Sequence, residues 1–508
     1  MSLDEELVRR LEAVRQGGRP EYHAKLRAED KLFARERLQR LLDPDSMVEE
    51  GALARCADEG LPADAVVTVT GKIGGRPVCV MANDMTVKAG TWGRTTIQKI
   101  QRIQEIARDA ELPMLYLVDS AGGRLDEQFD IFVARNHAGR IFHNQIQLSG
   151  VVPQICVLLG PSPAGSAYIP AFCDLVIMVD GHASAYLGSP RMSEMATGEK
   201  VTMEEMGGAR MHCSVSGLGD VLAASEEEAL RLVTRYLTYM PRSWREAPPA
   251  VAPAAPAAGR PIDEIVPAEQ NRVFDMYQVI DRLVDEGSFF ETKRLFAPEL
   301  ITGLARLDGR VVGVLANQPK AKGGVLFSDS SDKGARFVWL CNAFNIPLLF
   351  LADVPGFMIG SQVERQGIIR HGAKLLFAVA EATVPKISVI VRKAYGAGYM
   401  AMSGGSFLPD ACIALATAKL AIMGPEAAIN AIHFNTIESL DGPEREAFIR
   451  DRRAEYNERI DIYRIASDFL IDAVVPGRDL REELRRRFDA LAAKPRRPVR
   501  RWNGVIPG

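Results

Sequence analysis

The sequence is short of the residues that most often announce a site. Its 508 residues include only seven histidines, and His23, His137, His143, His182, His212, His371 and His433 stand apart from one another. There is no H-E-x-x-H, no P-loop and no closely spaced histidine pair, so the motifs for a helical zinc site and for a phosphate cradle are missing. The seven cysteines, Cys56, Cys79, Cys156, Cys173, Cys213, Cys341 and Cys412, are scattered, odd in number and never spaced C-x-x-C. That argues against a disulfide framework and against a zinc ribbon. Most of them fall in apolar runs, where a cysteine acts as a small buried hydrophobe. Charge of one sign is lacking too: 62 basic residues stand against 65 acidic ones, a net charge of −3, which makes no electrostatic case for nucleic acid. No apolar run approaches the roughly 18 residues needed to cross a bilayer. The opening MSLDEELVRRLEAVRQ has no signal-peptide core, and a cytoplasmic location is the expectation.

What is present is repetition. The segment Lys72–Asn83 matches Arg306–Asn317, and Leu112–Asp119 matches Ile346–Asp353. A spacing of 234 residues separates Asn83 from Asn317 and Asp119 from Asp353, and one of 232 separates Pro153 from Pro385. Two tandem copies of one domain are expected, since repeats of about 20–50 residues, not of this size, build solenoids. Between them lies APPAVAPAAPAAGRP, rich in proline and alanine and nearly uncharged, as linkers are. The expected layout is a domain over 1–247, a linker over 248–261 and a second domain over 262–508.

Within each copy, strands alternate with helices, which predicts stacked β/α units. A hairpin is expected over 66–83 around Gly74-Gly75, a helix over 95–110, a strand over 114–118, a helix over 131–148 and a strand over 154–159. Residues 3–43 read as helical. The strongly charged stretch from Lys25 to Arg40 predicts a solvated helix packed on the domain surface. The basic stretch from Lys494 to Arg501 reads as a solvated tail.

Chemistry concentrates in two equivalent stretches, VPQICVLLGPSPAGSAYIP over 152–170 and VPKISVIVRKAYGAGYMAM over 384–402. Each is an apolar strand, a glycine-containing turn and the start of a helix. In the second, the strand is expected over Ile387–Val391, ending at Arg392-Lys393. Such a helix start presents unpaired backbone N–H groups that bind anions. Two of them predict two oxyanions, one on each reactant, and loss of one such donor typically raises a barrier by about 3–4 kcal/mol. The plainer alternative is that the glycines only permit tight turns. Gly160-Pro-Ser-Pro-Ala lacks the last glycine of a nucleophile elbow. The run from Gly396 to Ala401 fits G-x-G-x-x-A, but the first copy has no counterpart and no acidic residue follows at the ribose-binding distance.

The chain resembles the carboxyltransferase (beta) subunits of biotin-dependent acyl-CoA carboxylases, the propionyl-CoA and methylcrotonyl-CoA type. The resemblance spans nearly its whole length. It rests on Ala34-Arg-Glu-Arg-Leu, Asp119-Ser120, Gly160-Pro161, Ala196-Thr-Gly-Glu199 and Gly207-Gly208-Ala209 in the first half. In the second half it rests on Ala316-Asn-Gln-Pro319, Asp353-Val-Pro-Gly-Phe357, Arg370-His-Gly-Ala-Lys374, Arg392-Lys-Ala-Tyr-Gly396 and Met423-Gly-Pro-Glu426.

The resemblance implies an α/β fold of two tandem crotonase-like (ClpP/crotonase superfamily) domains, usually in a homohexamer whose sites are shared between subunits. It implies that biotin, carried on the carrier domain of a biotin carboxylase or carboxyl carrier partner, brings the carboxyl group. The freed biotin takes the α-proton of an acyl-CoA, whose thioester enolate then attacks. No metal is required in this chain. The first copy would hold the acyl-CoA oxyanion at the N–H groups of Ala164 and Gly165, with Ser162, Tyr168, Gly122, Gly123 and Met400 lining the substrate. The second would hold biotin at Tyr395, Gly396, Ala397 and Gly398, the last two as donors.

Ala164 stands where many relatives carry glycine, and its N–H donates equally well if φ stays negative. Met400 replaces the aspartate of propionyl-type enzymes. The stretch Gly139–Gln145 is closer to methylcrotonyl-type subunits, so the acyl group stays open. Two alternatives remain. One is the carboxyltransferase subunit of a sodium-pumping decarboxylase. The other is a biotin-independent crotonase-like hydratase or isomerase, which would need a carboxylate such as Asp174 or Glu194 beside the first turn.

Overall fold

The computed structural model describes residues 2–58 and 60–494. The basic tail, apart from Lys494, lies outside the described residues. The chain divides after Ala247 into two compact units.

The first unit is built on strands β1 (Val48–Glu50), β2 (Val66–Ile73), β3 (Arg76–Asn83), β4 (Met114–Val118), β5 (Gln154–Leu158), β6 (Pro161–Pro163), β7 (Leu175–Val179), β8 (Ser184–Tyr186) and β9 (Val221–Ala223). Its main sheet has the order β1-β2-β3-β4-β5-β7-β9, with β6 and β8 paired apart from it. The first three strands pair antiparallel and the rest parallel. The hairpin β2–β3 turns at Gly74-Gly75, both at positive φ. β4 and β5 are buried along their whole length, as strands covered on both faces must be. The helix Arg94–Asp109 places Ile97, Ile100, Ile103 and Ala107 on one face, and they join Met81, Tyr116 and Ile141 in the core.

The second unit repeats the plan with β10 (Phe290–Thr292), β11 (Leu300–Leu307), β12 (Arg310–Asn317), β13 (Leu348–Val354), β14 (Lys386–Tyr395), β15 (Ala411–Ala414), β16 (Lys419–Ala421) and β17 (Ala473–Val474). The order β10-β11-β12-β13-β14-β15-β17 matches the first sheet strand for strand. The 234-residue spacing reaches single contacts. Trp92 bridges Gly123 as Leu326 bridges Phe357. The buried Lys99 and Lys333 each donate to backbone carbonyls, Ala63 and Val66 in the first unit, Lys293, Phe296 and Ala297 in the second.

Four expectations need correction. Residues 3–43 form three helices, Leu3–Arg15, Pro20–Ala28 and Ala34–Leu41. The charged run is not solvated: Arg35 and Arg37 of the last helix, and Lys31 in the loop before it, are buried in ion pairs. Residues 131–148 are not one helix: Ile131 ends the short helix Gln128–Ile131, and the chain is helical again over Gly139–Leu148. The Ala138 N–H donates to the Ile131 carbonyl at 2.8 Å, and His137 Nδ1 accepts the Ala134 N–H at 2.9 Å, which closes a loop instead. β14 does not stop at Arg392, because Lys393, Ala394 and Tyr395 pair in parallel with β16. The proline–alanine segment is extended but pinned. Val251 N–H donates to the Gly309 carbonyl at 3.0 Å, and Arg306 reaches the Pro249 carbonyl at 2.8 Å.

Candidate active site

The first turn follows β5, an interior strand, at its C-terminal end, where the chain leaves the main sheet and enters β6. Ser120 N–H donates to the Pro161 carbonyl at 2.9 Å, so the loop after β4 carries β6. β6 pairs in parallel with β8 and ends at Pro163. A short 3-10 turn, Ala164–Ala167, then leads into the helical turn Tyr168–Ala171. Pro163 supplies no side-chain cap, which leaves the first N–H groups, those of Ala164 and Gly165, pointing away from any intrahelical acceptor. Both residues are exposed.

Ala164 sits at φ +53°, so its φ is not negative as the sequence reading required. A left-handed alanine costs about 1–2 kcal/mol. The turn therefore imposes this conformation, and the Ala164 side chain points where glycine would have none.

Gly122, at φ +102°, approaches Pro163 so closely that a Cβ there would lie 3.2 Å from the proline ring. Gly123 is held by its bridge to Trp92. Below Gly165 lie three aromatic rings. Phe142 and Tyr168 have centroids 6.3 Å apart, and Tyr168 and Phe172 6.4 Å. Tyr168 is about half exposed and walls the turn. Ser162 is placed differently from the expectation: its hydroxyl is buried and donates to the Ser166 carbonyl at 2.9 Å, so it braces the turn from within.

The second turn follows β14. Tyr395 is its last strand residue and N-cap, with no side-chain cap, and the helix Gly396–Ala401 begins at once. Gly396 sits at φ +55°, and a Cβ on it would lie 2.9 Å from the Ile422 carbonyl oxygen. The 232-residue spacing makes Gly396 the counterpart of Ala164, and Ala397 the counterpart of Gly165. Ala397 is exposed. Gly398 is buried: a Cβ would meet Val354 Cγ2 at 2.7 Å and Gly356 Cα at 2.9 Å, so its glycine lets the helix close on the loop after β13. Met400 is 39% exposed, one turn along this helix. Tyr395 is buried, and burial, with the Asp353 carboxylate adding, pushes its phenol up to about 12, so it stays protonated at neutral pH.

Under each turn lies a buried carboxylate. Asp353, at the end of β13, receives Arg392 Nη2 at 2.8 Å and the Lys393 backbone N–H at 3.0 Å. Arg392 is in turn anchored to the carbonyl of Glu269 at 3.0 Å. Burial lowers the Lys393 ammonium below its usual range, against the pull of Asp353. Asp119, at the end of β4, receives Lys31 Nζ at 2.8 Å on Oδ1 and 2.7 Å on Oδ2, and Arg37 Nη2 at 2.9 Å. Arg37 is shared with Glu226 at 2.6 Å. Burial opposes the Arg37 charge, but the Asp119 and Glu226 carboxylates outweigh it and hold the guanidinium above its ordinary value. Sequence reading passed over Lys31, Arg37 and Glu226, since charge density alone says nothing about pairing.

The carboxylates a hydratase would need are engaged elsewhere. Asp174 accepts the N–H of Gln154, the first residue of β5, at the end of the strand away from the turn. Glu194 lies in an exposed helix and pairs with Lys200. Among the described residues no group of histidine, cysteine and carboxylate is arranged to hold a metal ion. No described helix is long and apolar enough to cross a membrane.

The family model described as the carboxyl transferase domain matches residues 25–506. A Bacillus subtilis carboxylase, YngE, is 58% identical over 100% of this chain and 99% of its own length. A putative propionyl-CoA carboxylase beta chain of the same organism is 38% identical, over 99% of each chain. The crystal structure of transcarboxylase 12S, a hexamer with methylmalonyl-CoA and methylmalonic acid bound, superposes with a TM-score of 0.93. It is 36% identical and covers 100% of this chain and 99% of that one.

Proposed function

The chain belongs to the carboxyl transferase family, and on that premise we propose how its two turns divide the work of an acyl-CoA carboxylase. It is the carboxyltransferase subunit of a biotin-dependent enzyme, with tandem crotonase-like domains, and it moves a carboxyl group to an acyl-CoA. The observation that carries the assignment of roles is the duplicated, uncapped first helical turn, entered through a left-handed residue at both Ala164 and Gly396.

In this reading the exposed N–H groups at Ala164 and Gly165 polarise the thioester carbonyl and hold the enolate oxygen as charge builds there. The Phe142–Tyr168–Phe172 cluster backs the turn from below and leaves its two N–H groups open to the incoming thioester. The second turn fits a ureido carbonyl: Ala397 offers an exposed N–H, Gly398 lets the helix sit close to Gly356, and Tyr395 keeps its proton. Biotin, when bound there, supplies the activated carboxyl group. Gly396, Ala397 and Tyr395 orient its ureido ring, and Gly398 supplies a further N–H. The group arrives on the carrier domain of a biotin carboxylase partner. The subunits assemble as a homohexamer with shared sites, in the cytoplasm. Met400 helps set which acyl chain is accepted.

The test is the reverse reaction. The full-length protein is mixed with free biotin and, separately, with malonyl-CoA, methylmalonyl-CoA and 3-methylglutaconyl-CoA. Biotin-dependent decarboxylation of one thioester is expected and names the acyl class. Loss of no thioester, repeated with a biotinylated carrier domain, overturns the reading.

A further inference from the structure

The two copies solve one electrostatic problem in different ways, and the difference assigns a role to the N-terminal segment. Asp119 and Asp353 occupy equivalent positions and both are fully buried. In the second copy the neutralising cations are Arg392, four residues before Gly396, and Lys393, whose Nζ lies 3.7 Å from Asp353, both on the strand that carries the second turn; Lys393 is matched in the first copy by the uncharged Pro161. The residue equivalent to Arg392 is Gly160. A side chain could not fit there, since even a Cβ would overlap the Asp119 carboxylate and lie 2.8 Å from Lys31 Nζ. The strand cannot supply the charge, and the segment before β1 does so instead. Lys31 bridges both carboxylate oxygens, and Arg37, held by Glu226, covers the second. All four side chains are at least nine-tenths buried.

We propose that Lys31 and Arg37 are positioning residues for the first oxyanion turn. Asp119 connects them to it. The next residue, Ser120, holds β6 through the Pro161 carbonyl, and Gly122 packs on Pro163, the residue before Ala164. A buried carboxylate robbed of one cation moves toward water or the remaining charge. That drags the Ser120–Pro161 contact and with it the Ala164 and Gly165 N–H groups. Donor placement matters at the scale of a few tenths of an ångström, and a misplacement of about 1 Å costs on the order of 100-fold in rate. The inference rests on the reading of the first turn as the acyl-CoA oxyanion hole.

The experiment uses the full-length protein and the thioester that wild type decarboxylates with free biotin. Lys31→Met is expected to lower kcat by about 10- to 100-fold, leave KM for the thioester within about threefold, and retain a cooperative melting transition. Lys31→Arg is expected to restore most of the rate. A Lys31→Met enzyme with kcat within about threefold of wild type overturns the proposal. So does a loss confined to KM, or a Lys31→Arg enzyme no better than Lys31→Met. Should Lys31→Met fail to fold, Glu226→Gln loosens Arg37 while leaving Asp119 its lysine. A fall in kcat of about threefold is then expected, and no fall overturns the proposal. Gly165→Pro in the same assay separates the two levels. If Gly165→Pro is inactive while Lys31→Met is not impaired, only the positioning role fails. If Gly165→Pro is fully active, the oxyanion reading itself fails.

Discussion

The exchange of residues between the two left-handed positions gives the sharpest test of the geometry. Ala164 and Gly396 share nearly the same φ, +53° and +55°, yet one bears a methyl group and the other cannot. In Gly396→Ala the new Cβ would sit 2.9 Å from the Ile422 carbonyl oxygen, in a conformation L-residues avoid. The conformation alone costs about 1–2 kcal/mol. Crowding against backbone adds about 1–3 kcal/mol, as overpacking does. The second turn relieves part of that strain by shifting, which moves the Ala397 N–H. A full oxyanion donor is worth about 3–4 kcal/mol, so losing a third to a half of it slows turnover roughly 10-fold. Ala164→Gly is the mirror case. It removes the same conformational cost, offset by about 0.4–1 kcal/mol of extra freedom in the unfolded chain. A small rise in the denaturation midpoint with unchanged turnover is expected. Both variants are read by guanidinium denaturation and by kcat for the reverse reaction. A Gly396→Ala enzyme with wild-type midpoint and wild-type kcat would refute the reasoning, for it would mean that the turn tolerates a methyl group where the structure leaves no room.

Proline at either donor position should remove an N–H and constrain the turn. Gly165→Pro, at an exposed position with room for a side chain, is expected to cut kcat on the order of 100- to 1000-fold while assembly, followed by size-exclusion chromatography, stays intact; Gly398→Pro, where a Cβ would lie 2.9 Å from Gly356 Cα, is expected to lower the denaturation midpoint as well as kcat. Met400→Asp should change the ratio of kcat/KM values among acyl-CoA substrates and leave KM for biotin alone; a uniform loss with every thioester would remove Met400 from the specificity set. Lys99 offers a pH test. Burial lowers its ammonium from 10.5 to about 8, so the folded state binds this proton more weakly than the unfolded chain does. The resulting penalty is complete below about pH 8 and is relieved as pH rises toward 10.5. Wild type should therefore gain stability relative to Lys99→Met across that window, measured by denaturation midpoints at pH 7.5, 9 and 10.5, and a constant gap would contradict the assignment.

Much of the fold could be read from spacing, because strand periodicity and a repeated offset are local in the sequence. The hairpin at Gly74-Gly75, the strand Met114–Val118 and both turn regions stand where the pattern puts them. What failed depends on partners far along the chain. β14 runs past Arg392 because β16, more than twenty residues later, pairs with its end. The left-handed φ of Ala164 occurs where β6, paired with β8, ends and Gly122 packs on Pro163, a setting that no residue preference at 164 reports. The charged run from Lys25 to Arg40 looked solvated because charge on a helix is solvated by default, and only the position of Asp119 reverses that. Even so, one signal was available. Asp119 and Asp353 are kept in register while Arg392 is matched by Gly160, so the first copy retains a buried acid and lacks the base that its twin provides. A fold that repeats its charges must repeat their neutralisation, and a missing cation in one copy points to a donor elsewhere in the chain. Lys31 and Arg37 are that donor. Through Asp119 the N-terminal segment, Lys31 before the helix Ala34–Leu41 and Arg37 within it, is tied to the turn where the acyl-CoA oxygen is expected to bind.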